Sequence, residues 1–263
     1  MAPQEVFVHQ LRLKSVEQAE FSWRRGCGPS SISASEIHLW RISLEQTPGR
    51  VQAFRELLPA GERQRCEGLH LERDREAFCI CRGYLRTLLG RYEGLAPERV
   101  RLTRGRYGKP ALDPRANSKD IEFNVSHSGH WALIALARGR RVGVDIQRID
   151  AALDNDLIVR RFFSTREHES ILAFPEETRT AAFYACWTRK EAAVKALGGS
   201  IARLANELIV SATPRGPAQI LQMPSGGASE RWHLQDLPVG ESYAAALCYE
   251  GPLADVFLWQ PEA

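Results

Sequence analysis

Hydrophobic and polar residues alternate along several short segments of the chain, which is the pattern of β-strands with one buried face. The first segment is EIHLWRISL (36–44), and three more follow closely on one another at 122–128, 131–137 and 141–147. Beyond Glu207 the alternation predicts further short strands separated by turns: ELIVSA, AQILQM, RWHLQDL, SYAAALCY and DVFLWQ.

Two longer segments carry apolar residues at helical spacing. One spans about residues 60–90 and ends at Gly90, and the other spans about residues 178–197 and ends at a Gly-Gly pair. Glycine commonly follows the last turn of a helix, so both ends are typical helix termini. Residues 101–116 are rich in glycine and proline and predict a loop, and residues 27–35 predict a loop or flexible leader.

The order of strand, turn and helix occurs twice. The strand EIHLWRI precedes the strand RVGVDIQ by about 105 residues, and the helix ending at 88–90 precedes the helix ending at 196–198 by about 108. We interpret this as two similar α+β lobes joined near residues 138–141. Chance similarity between two amphipathic helices is the alternative explanation.

The chain is accordingly predicted to have three parts. Residues 1–35 form an N-terminal extension, residues 36–139 a first α+β lobe and residues 140–263 a second α+β lobe. A chain of 263 residues with 44% hydrophobic and 25% charged residues has ordinary globular composition and can bury a substantial core.

Charge and apolar content exclude several classes of protein. The net charge is +3, from 35 basic and 32 acidic residues, which gives no support for a nucleic-acid or membrane partner. No apolar run reaches the ~18 residues of a membrane span, and the first residues lack the apolar core of a signal peptide. The six cysteines are spaced for neither zinc nor a disulfide framework, so a cytoplasmic protein with reduced thiols is predicted.

Candidate chemistry begins at the strand RVGVDIQ. Its valines and isoleucine share one face, whereas Gly143, Asp145 and Gln147 share the other. An acid at the end of an apolar strand, beside a glycine, suits a cleft. A solvent-facing aspartate at a strand end is the alternative.

The second long helix has a polar face of its own. Thr188, Glu191 and Lys195 lie at positions i, i+3 and i+7. Glu191 and Lys195 could form only a surface pair, worth ~0.3–0.5 kcal/mol. If Glu191 instead converges with Asp145, the two carboxylates and substrate phosphate oxygens would suit one magnesium ion, with water completing its octahedron.

Basic and polar residues elsewhere provide weaker signals. Arg75, Arg82 and Arg86 line one helical face and could bind phosphates, or simply be solvated. The segment 126–128 (SHS) follows a strand, where a histidine could donate to a phosphate, act as a base or be an ordinary turn residue. No GxSxG nucleophile elbow is present, and the GKP at 108–110 lacks the spacing of a P-loop.

Five motifs in a fixed order change the interpretation. They are YGKP (107–110), FNVSHS (123–128), GVDIQ (143–147), FFS (162–164) and WTRKEAAVKALG (187–198). This series resembles the Sfp-type family of 4'-phosphopantetheinyl transferases. The resemblance implies a pseudo-dimeric fold of two similar α+β lobes, with one active site in the cleft between them.

The resemblance also implies a magnesium site in the second lobe alone, because Trp40 stands near the first-lobe position equivalent to Asp145. Asp145 and Glu191 would ligate the metal, and Glu191 would also be the general base. Lys195 would stabilise charge on the leaving pyrophosphate oxygen. Many members of the family have glutamate where this chain has Gln147, which leaves an uncharged amide as the third ligand.

Coenzyme A is the implied co-substrate. The arginines of the first long helix would meet its 3'-phosphate, the GKP loop its adenine end, and the serine–histidine pair and the lysine its other phosphates. The residues so assigned are Arg75, Arg82, Gly108, Lys109, Pro110, Ser126, His127 and Lys195.

The implied reaction moves the phosphopantetheine arm of coenzyme A onto a serine of an apo acyl or peptidyl carrier protein, and 3',5'-ADP leaves. Carrier proteins are usually acidic, so basic residues at the cleft mouth would aid docking. Residues 150–180 would offer apolar contact to the carrier protein. For Phe162 and Phe163 within this segment, the preferred interpretation is that they belong to the hydrophobic core. A monomer is expected, because one chain supplies both lobes.

Three other functions remain open on sequence grounds. A metal-dependent phosphohydrolase would use the same two carboxylates to activate water. A nucleic-acid-binding module would use the arginine face and bind in a salt-sensitive, magnesium-independent way. A degenerate transferase would bind coenzyme A without turnover.

Overall fold

The computed structural model describes residues 22–105, 108–152 and 156–262, so residues 1–21 of the predicted extension and Tyr107 of the YGKP motif lie outside the described residues. The α-helices are α1 (Pro48–Leu57), α2 (Ala60–Glu67), α3 (Glu72–Glu93), α4 (Asp156–Phe162), α5 (Thr165–Leu172), α6 (Glu176–Ala196) and α7 (Ile201–Leu204). The β-strands are β1 (Arg24–Arg25), β2 (Glu36–Ser43), β3 (Leu102–Arg104), β4 (Pro110–Leu112), β5 (Ile121–Ser128), β6 (Trp131–Arg138), β7 (Val142–Arg148), β8 (Ile209–Val210), β9 (Ile220–Gln222), β10 (Trp232–Asp236), β11 (Tyr243–Glu250) and β12 (Asp255–Gln260). In this described part of the chain, every helix is too short or too polar to cross a membrane.

The strands predicted from alternation are confirmed, and the second long helix is α6. The helix predicted over residues 60–90 is two helices, α2 and α3, with residues 68–71 between them. The predicted loop at 101–116 contains the short antiparallel pair β3 and β4. Helices α1, α4, α5 and α7 lie outside the two predicted helical segments.

The first sheet has five strands in the order β1-β12-β2-β6-β5. Helix α3 covers one face of this sheet, where Leu85 and Leu88 join Trp40 of β2 and Ile134 of β6 in a single core. The helix ends because Gly94 takes a left-handed conformation, with φ at 73°, that glycine adopts without strain.

The second sheet has three antiparallel strands in the order β10-β11-β7. Helix α6 covers one face of it. Ala192 and Val194 of α6 lie in one core with Ala246 and Cys248 of β11. Small side chains on both elements let the helix and the sheet approach closely.

The two halves have the same topology. The series β2, α3, β5, β6 corresponds to β7, α6, β10, β11. In the first half β6 pairs with β2 and β5, and in the second half β11 pairs with β7 and β10, all antiparallel. The register agrees too: Trp40 pairs with Ile134, and Asp145 pairs with Ala246, each at the fourth residue of the partner strand. The prediction of two similar α+β lobes is confirmed.

The two sheets pack against each other. Alternate residues of both sheets form a core between them. Its fully buried members include Ile37 and Leu39 of β2 and Val144 and Ile146 of β7. Because side chains alternate between faces, the remaining residues of the same strands face α3 or α6. The order of layers is helix, sheet, sheet, helix.

The last strand crosses back to the first sheet. Strand β12 lies between β1 and β2, and it pairs in parallel with β2 over residues 255–259. The lobe boundaries at 36–139 and 140–263 remain predictions. The end of the second range contributes a strand to the sheet of the first.

Candidate active site

The site is built where strand β7 touches helix α6. Gly143 makes this contact possible, because a Cβ at this position would collide with the carbonyl oxygen of Ala192 and the amide nitrogen of Ala196. The close approach brings the polar face of β7, with Asp145, against the face of α6 that carries Glu191 and Lys195. The predicted convergence of these three residues is what the structure shows.

Asp145 is the most enclosed of the three, with 1% of its surface exposed. Its Oδ1 accepts hydrogen bonds from Lys195 Nζ at 2.6 Å and from Ser126 Oγ at 2.7 Å. Its Oδ2 accepts one from Gln147 Nε2 at 3.1 Å. The carboxylate is thus oriented by groups from β5, β7 and α6.

Glu191 lies one turn before Lys195 and is half-buried. Its pKa is raised, first because burial disfavours the charged carboxylate; the ammonium of Lys195 lowers it, and the charge of Asp145 raises it again. Among the described residues, its carboxylate accepts no hydrogen bond. Lys195 is thus ion-paired with Asp145, and its charge also acts on the Glu191 carboxylate.

This donor set fits a hard divalent cation only when the substrate adds ligands. The described residues contain no group of three His, Cys, Asp or Glu side chains placed to hold a metal. Two carboxylates, an amide oxygen, phosphate oxygens and water are ligands that magnesium accepts. Asp145, Glu191 and Gln147 are the residues that would hold it.

A cleft of about 860 Å³ opens beside these residues. The first lobe lines it with Asp74 and His127, and the second with Gln147, Tyr184 and Trp187. The pKa of His127 is lowered, chiefly because its imidazole is partly withdrawn from water and secondly because the Lys195 ammonium is near. The candidate site thus adjoins a cleft that residues of both lobes line.

A second pocket, of about 580 Å³, adjoins the cleft at His127 and is lined by Arg65, Phe78, Arg82 and Pro110. The guanidinium carbons of Arg65 and Arg82 each lie 5.6 Å from the centre of the Phe78 ring. Both arginines and Pro110 also line a neighbouring pocket. Two cations beside an aromatic ring are suited to a phosphorylated nucleotide.

Arg65 lines this pocket although no sequence feature indicated it. The residue lies on α2, outside the arginine face identified on α3, and no motif marks it. Gly108 and Arg104 line the same neighbouring pocket, so the loop predicted for the adenine end does reach this region.

The three arginines of α3 do not act together. Arg75 lines a separate groove, where its guanidinium donates to the Leu69 carbonyl and to Glu72. Arg86 is 2% exposed and donates to Glu62 and to the carbonyls of Pro97 and Val100. Of the three, Arg82 is the one that the structure places in the pocket beside the cleft.

Lys109 ties the two lobes together. Its Nζ donates to the carbonyl of Lys195 at 2.9 Å and to that of Val142 at 3.4 Å. Burial lowers the pKa of Lys109 to about 8, with Glu122 opposing that shift and Lys195 adding to it. The loop that carries Lys109 is thereby held at the end of helix α6.

The FFS segment supports the site from behind. Ser164 caps helix α5 together with Glu167, and the Glu167 carboxylate accepts a 2.6 Å hydrogen bond from Lys190, with both charges fully buried. Phe163 is buried and packs on Phe183 and Trp187 of α6, which confirms that it is a core residue. The S-x-x-E spacing in the sequence is the signal that could have found this capping box.

Comparison with known proteins agrees with this architecture. A model of the 4'-phosphopantetheinyl transferase superfamily matches residues 141–248, and a model of the 4'-phosphopantetheinyl transferase N-terminal region matches residues 40–138. The 4'-phosphopantetheinyl transferase HetI of Nostoc sp. is 33% identical over 88% of this chain and 93% of its own length. The chain therefore belongs to the 4'-phosphopantetheinyl transferase family and is a transferase enzyme.

The chain is also similar to a second curated protein and to part of a solved structure. The 4'-phosphopantetheinyl transferase Sfp of Bacillus subtilis is 25% identical over 76% of this chain and 86% of its own length. A solved holo-(acyl-carrier-protein) synthase of Bacillus anthracis, in complex with CoA (3',5'-ADP), is 21% identical, with a TM-score of 0.34 over 43% of this chain and 96% of its own.

Proposed function

We propose that the protein transfers the 4'-phosphopantetheine arm of coenzyme A to a serine of apo acyl or peptidyl carrier proteins, with magnesium held by Asp145 and Glu191. The serine oxygen would attack the β-phosphorus, and the bond from that phosphorus to the bridging oxygen of 3',5'-ADP would break. The observation that carries the proposal is the convergence of Asp145, Glu191 and Lys195. Gln147, which donates to Asp145, lines the neighbouring cleft.

The chain's own residues would divide the work. Glu191, whose carboxylate accepts no hydrogen bond from the described residues, would take the serine proton, directly at ~3 Å or through one water. Lys195 has a mobile point charge and would follow the leaving oxygen as negative charge develops there. Magnesium, when bound, would neutralise charge on the pyrophosphate oxygens.

Gln147 is the residue that departs from the family's usual glutamate. We expect Gln147→Glu to lower the magnesium concentration that gives half-maximal rate, by about tenfold, because ligand charge tunes affinity for hard cations. Initial rates across a magnesium titration measure this. If the half-maximal concentration is unchanged, position 147 is not a ligand.

The coenzyme A site would continue from the cleft into the pocket of Arg65 and Arg82. His127 lines both spaces and would contact the phosphates between them. Arg65 and Arg82 would meet the 3'-phosphate, and Gly108 and Pro110 the adenine end.

Arg82→Gln is expected to raise the KM for coenzyme A about 10-fold or more, because a charge-assisted hydrogen bond is worth ~1.5–3 kcal/mol. Arg75→Gln, on the same helix, is the matched control and should leave this KM unchanged, since Arg75 lines another groove. With coenzyme A lacking its 3'-phosphate, the difference between the variants should vanish. Equal effects of both substitutions on KM would contradict the assignment.

The carrier protein would dock on α4 and α5. Leu157 is 79% exposed and Leu172 is 48% exposed, so both offer apolar surface. Arg160 and Arg161 of α4 supply the positive charge that an acidic carrier needs.

Both lobes of the cleft belong to one chain, which supports a monomer. A cytoplasmic location remains a prediction.

Release of 3',5'-ADP tests the proposal against the phosphohydrolase alternative. Chromatography of reactions containing coenzyme A should detect 3',5'-ADP only when magnesium and an apo carrier protein are both present. A carrier whose target serine is replaced by alanine is the control and should give none. Release at the same rate without any carrier would show hydrolysis and would contradict transfer.

A further inference from the structure

The β7 edge of the second sheet finds hydrogen-bond partners in side chains rather than in another strand. Strand β7 is the outer strand of that sheet. The backbone N–H groups on its far edge therefore have no acceptor in a strand of the same sheet. Buried backbone donors of this kind require partners. The partners come from the other lobe.

Strand β5 supplies these partners from its side chains. Asn124 Oδ1 accepts from the Val144 amide at 2.8 Å, Ser126 Oγ lies 3.4 Å from the Ile146 amide, and Ser128 Oγ accepts from the Arg148 amide at 2.9 Å. The three acceptors recur at every second residue of β5, opposite every second amide of β7. We call Asn124, Ser126 and Ser128 the polar ladder.

Ser126 differs from the other members of the polar ladder. Its one hydroxyl proton is donated to Asp145 Oδ1 at 2.7 Å, and its Oγ accepts a hydrogen bond from Lys195 Nζ at 3.2 Å. The side chain is 8% exposed, so the hydroxyl is directed into the protein. His127, the next residue along the strand, lines the cleft instead.

We infer that Ser126 is a positioning residue for the metal ligand Asp145, and that its hydroxyl is not a ligand of the coenzyme A phosphates. The polar ladder fixes β7 against the first lobe, and Ser126 uses that fixed position to orient one oxygen of the carboxylate. The arrangement links the lobe that binds the nucleotide to the lobe that holds the metal. This inference rests on the proposed function.

Three variants test the inference: Ser126→Ala, Ser126→Thr and Ser128→Ala. Ser126→Ala should weaken Mn²⁺ binding, measured by electron paramagnetic resonance in the presence of coenzyme A, about 10- to 100-fold, as loss of a partner behind a metal ligand does. The KM for coenzyme A should stay within about twofold, because the hydroxyl does not touch the nucleotide. Ser126→Thr keeps the hydroxyl and should restore binding.

Ser128→Ala is the matched control, because it removes a rung of the polar ladder that has no bond to Asp145. It should lower the melting temperature no more than Ser126→Ala does and leave Mn²⁺ affinity unchanged. Two results would overturn the inference: a raised KM for coenzyme A with unchanged Mn²⁺ affinity in Ser126→Ala, or equal losses of Mn²⁺ affinity in both alanine variants. Equal Mn²⁺ binding by the wild type and Asp145→Asn would instead overturn the metal site itself, and this inference with it.

Discussion

Asp145→Asn is expected to reduce the rate of transfer by ~10²–10³-fold, the range for removing a group that stabilises developing charge. Asparagine keeps an oxygen that can accept from Ser126 and Lys195, so the fold should persist. What is lost is the negative charge that a divalent cation requires. Steady-state rates at saturating coenzyme A, together with thermal melts, separate the loss of charge from unfolding.

Glu191→Gln is the companion variant. The Glu191 carboxylate accepts no hydrogen bond within the described residues, so the substitution removes charge without breaking a contact. A comparable loss of rate is expected, with a smaller change in melting temperature than in Asp145→Asn. Near-normal turnover in either variant would contradict the assignment of these two carboxylates to the metal.

Gly143→Ala should disrupt the site without touching any charged group. The added methyl would meet the backbone of α6 at Ala192 and Ala196, and backbone atoms cannot turn aside as a side chain can. We expect a loss of ~1–3 kcal/mol in stability, typical of overpacking. Because helix α6 carries Glu191 and Lys195, a shift of ~1 Å should also reduce the rate about 10²-fold.

Gly49→Ala is the control for this prediction. Gly49 lies in helix α1, and a Cβ there would meet no atom within 4 Å. The substitution should be neutral or stabilising by ~0.4–1 kcal/mol and should leave activity unchanged. The measurements are chemical denaturation for stability and turnover well below the melting temperature. Wild-type turnover in Gly143→Ala would show that the spacing of β7 and α6 does not set the geometry of the site.

Much of the fold could be predicted from the sequence because its decisive features are local. Alternation along β2 and β7, and helical spacing along α6, are readable within about 20 residues, and their repetition revealed the two lobes. The place of β12 could not be predicted in this way. Its pairing with β2 joins residues more than two hundred positions apart, and alternation does not specify a partner.

The proximity of Asp145, Glu191 and Lys195, which the structure shows, followed from the resemblance of the motif series, and their chemical roles remain predictions. The surroundings of a residue were less well predicted where the direction of its side chain decides which pocket or partner it reaches. Arg75 and Arg82 share a face of α3 by spacing, yet the Leu69 carbonyl holds Arg75 in another groove. Ser126 was assigned to coenzyme A, and its hydroxyl is directed to Asp145 by the polar ladder, which only the packing of the two lobes creates.

The mass of a carrier protein is the most direct test of the central claim. Purified protein would be incubated with coenzyme A, magnesium and a panel of apo acyl and peptidyl carrier proteins, and each carrier would be weighed intact. We predict a gain of one phosphopantetheine on at least one carrier, abolished by a chelator and by Asp145→Asn. No gain on any carrier, from folded protein that also fails to bind coenzyme A, would contradict the account.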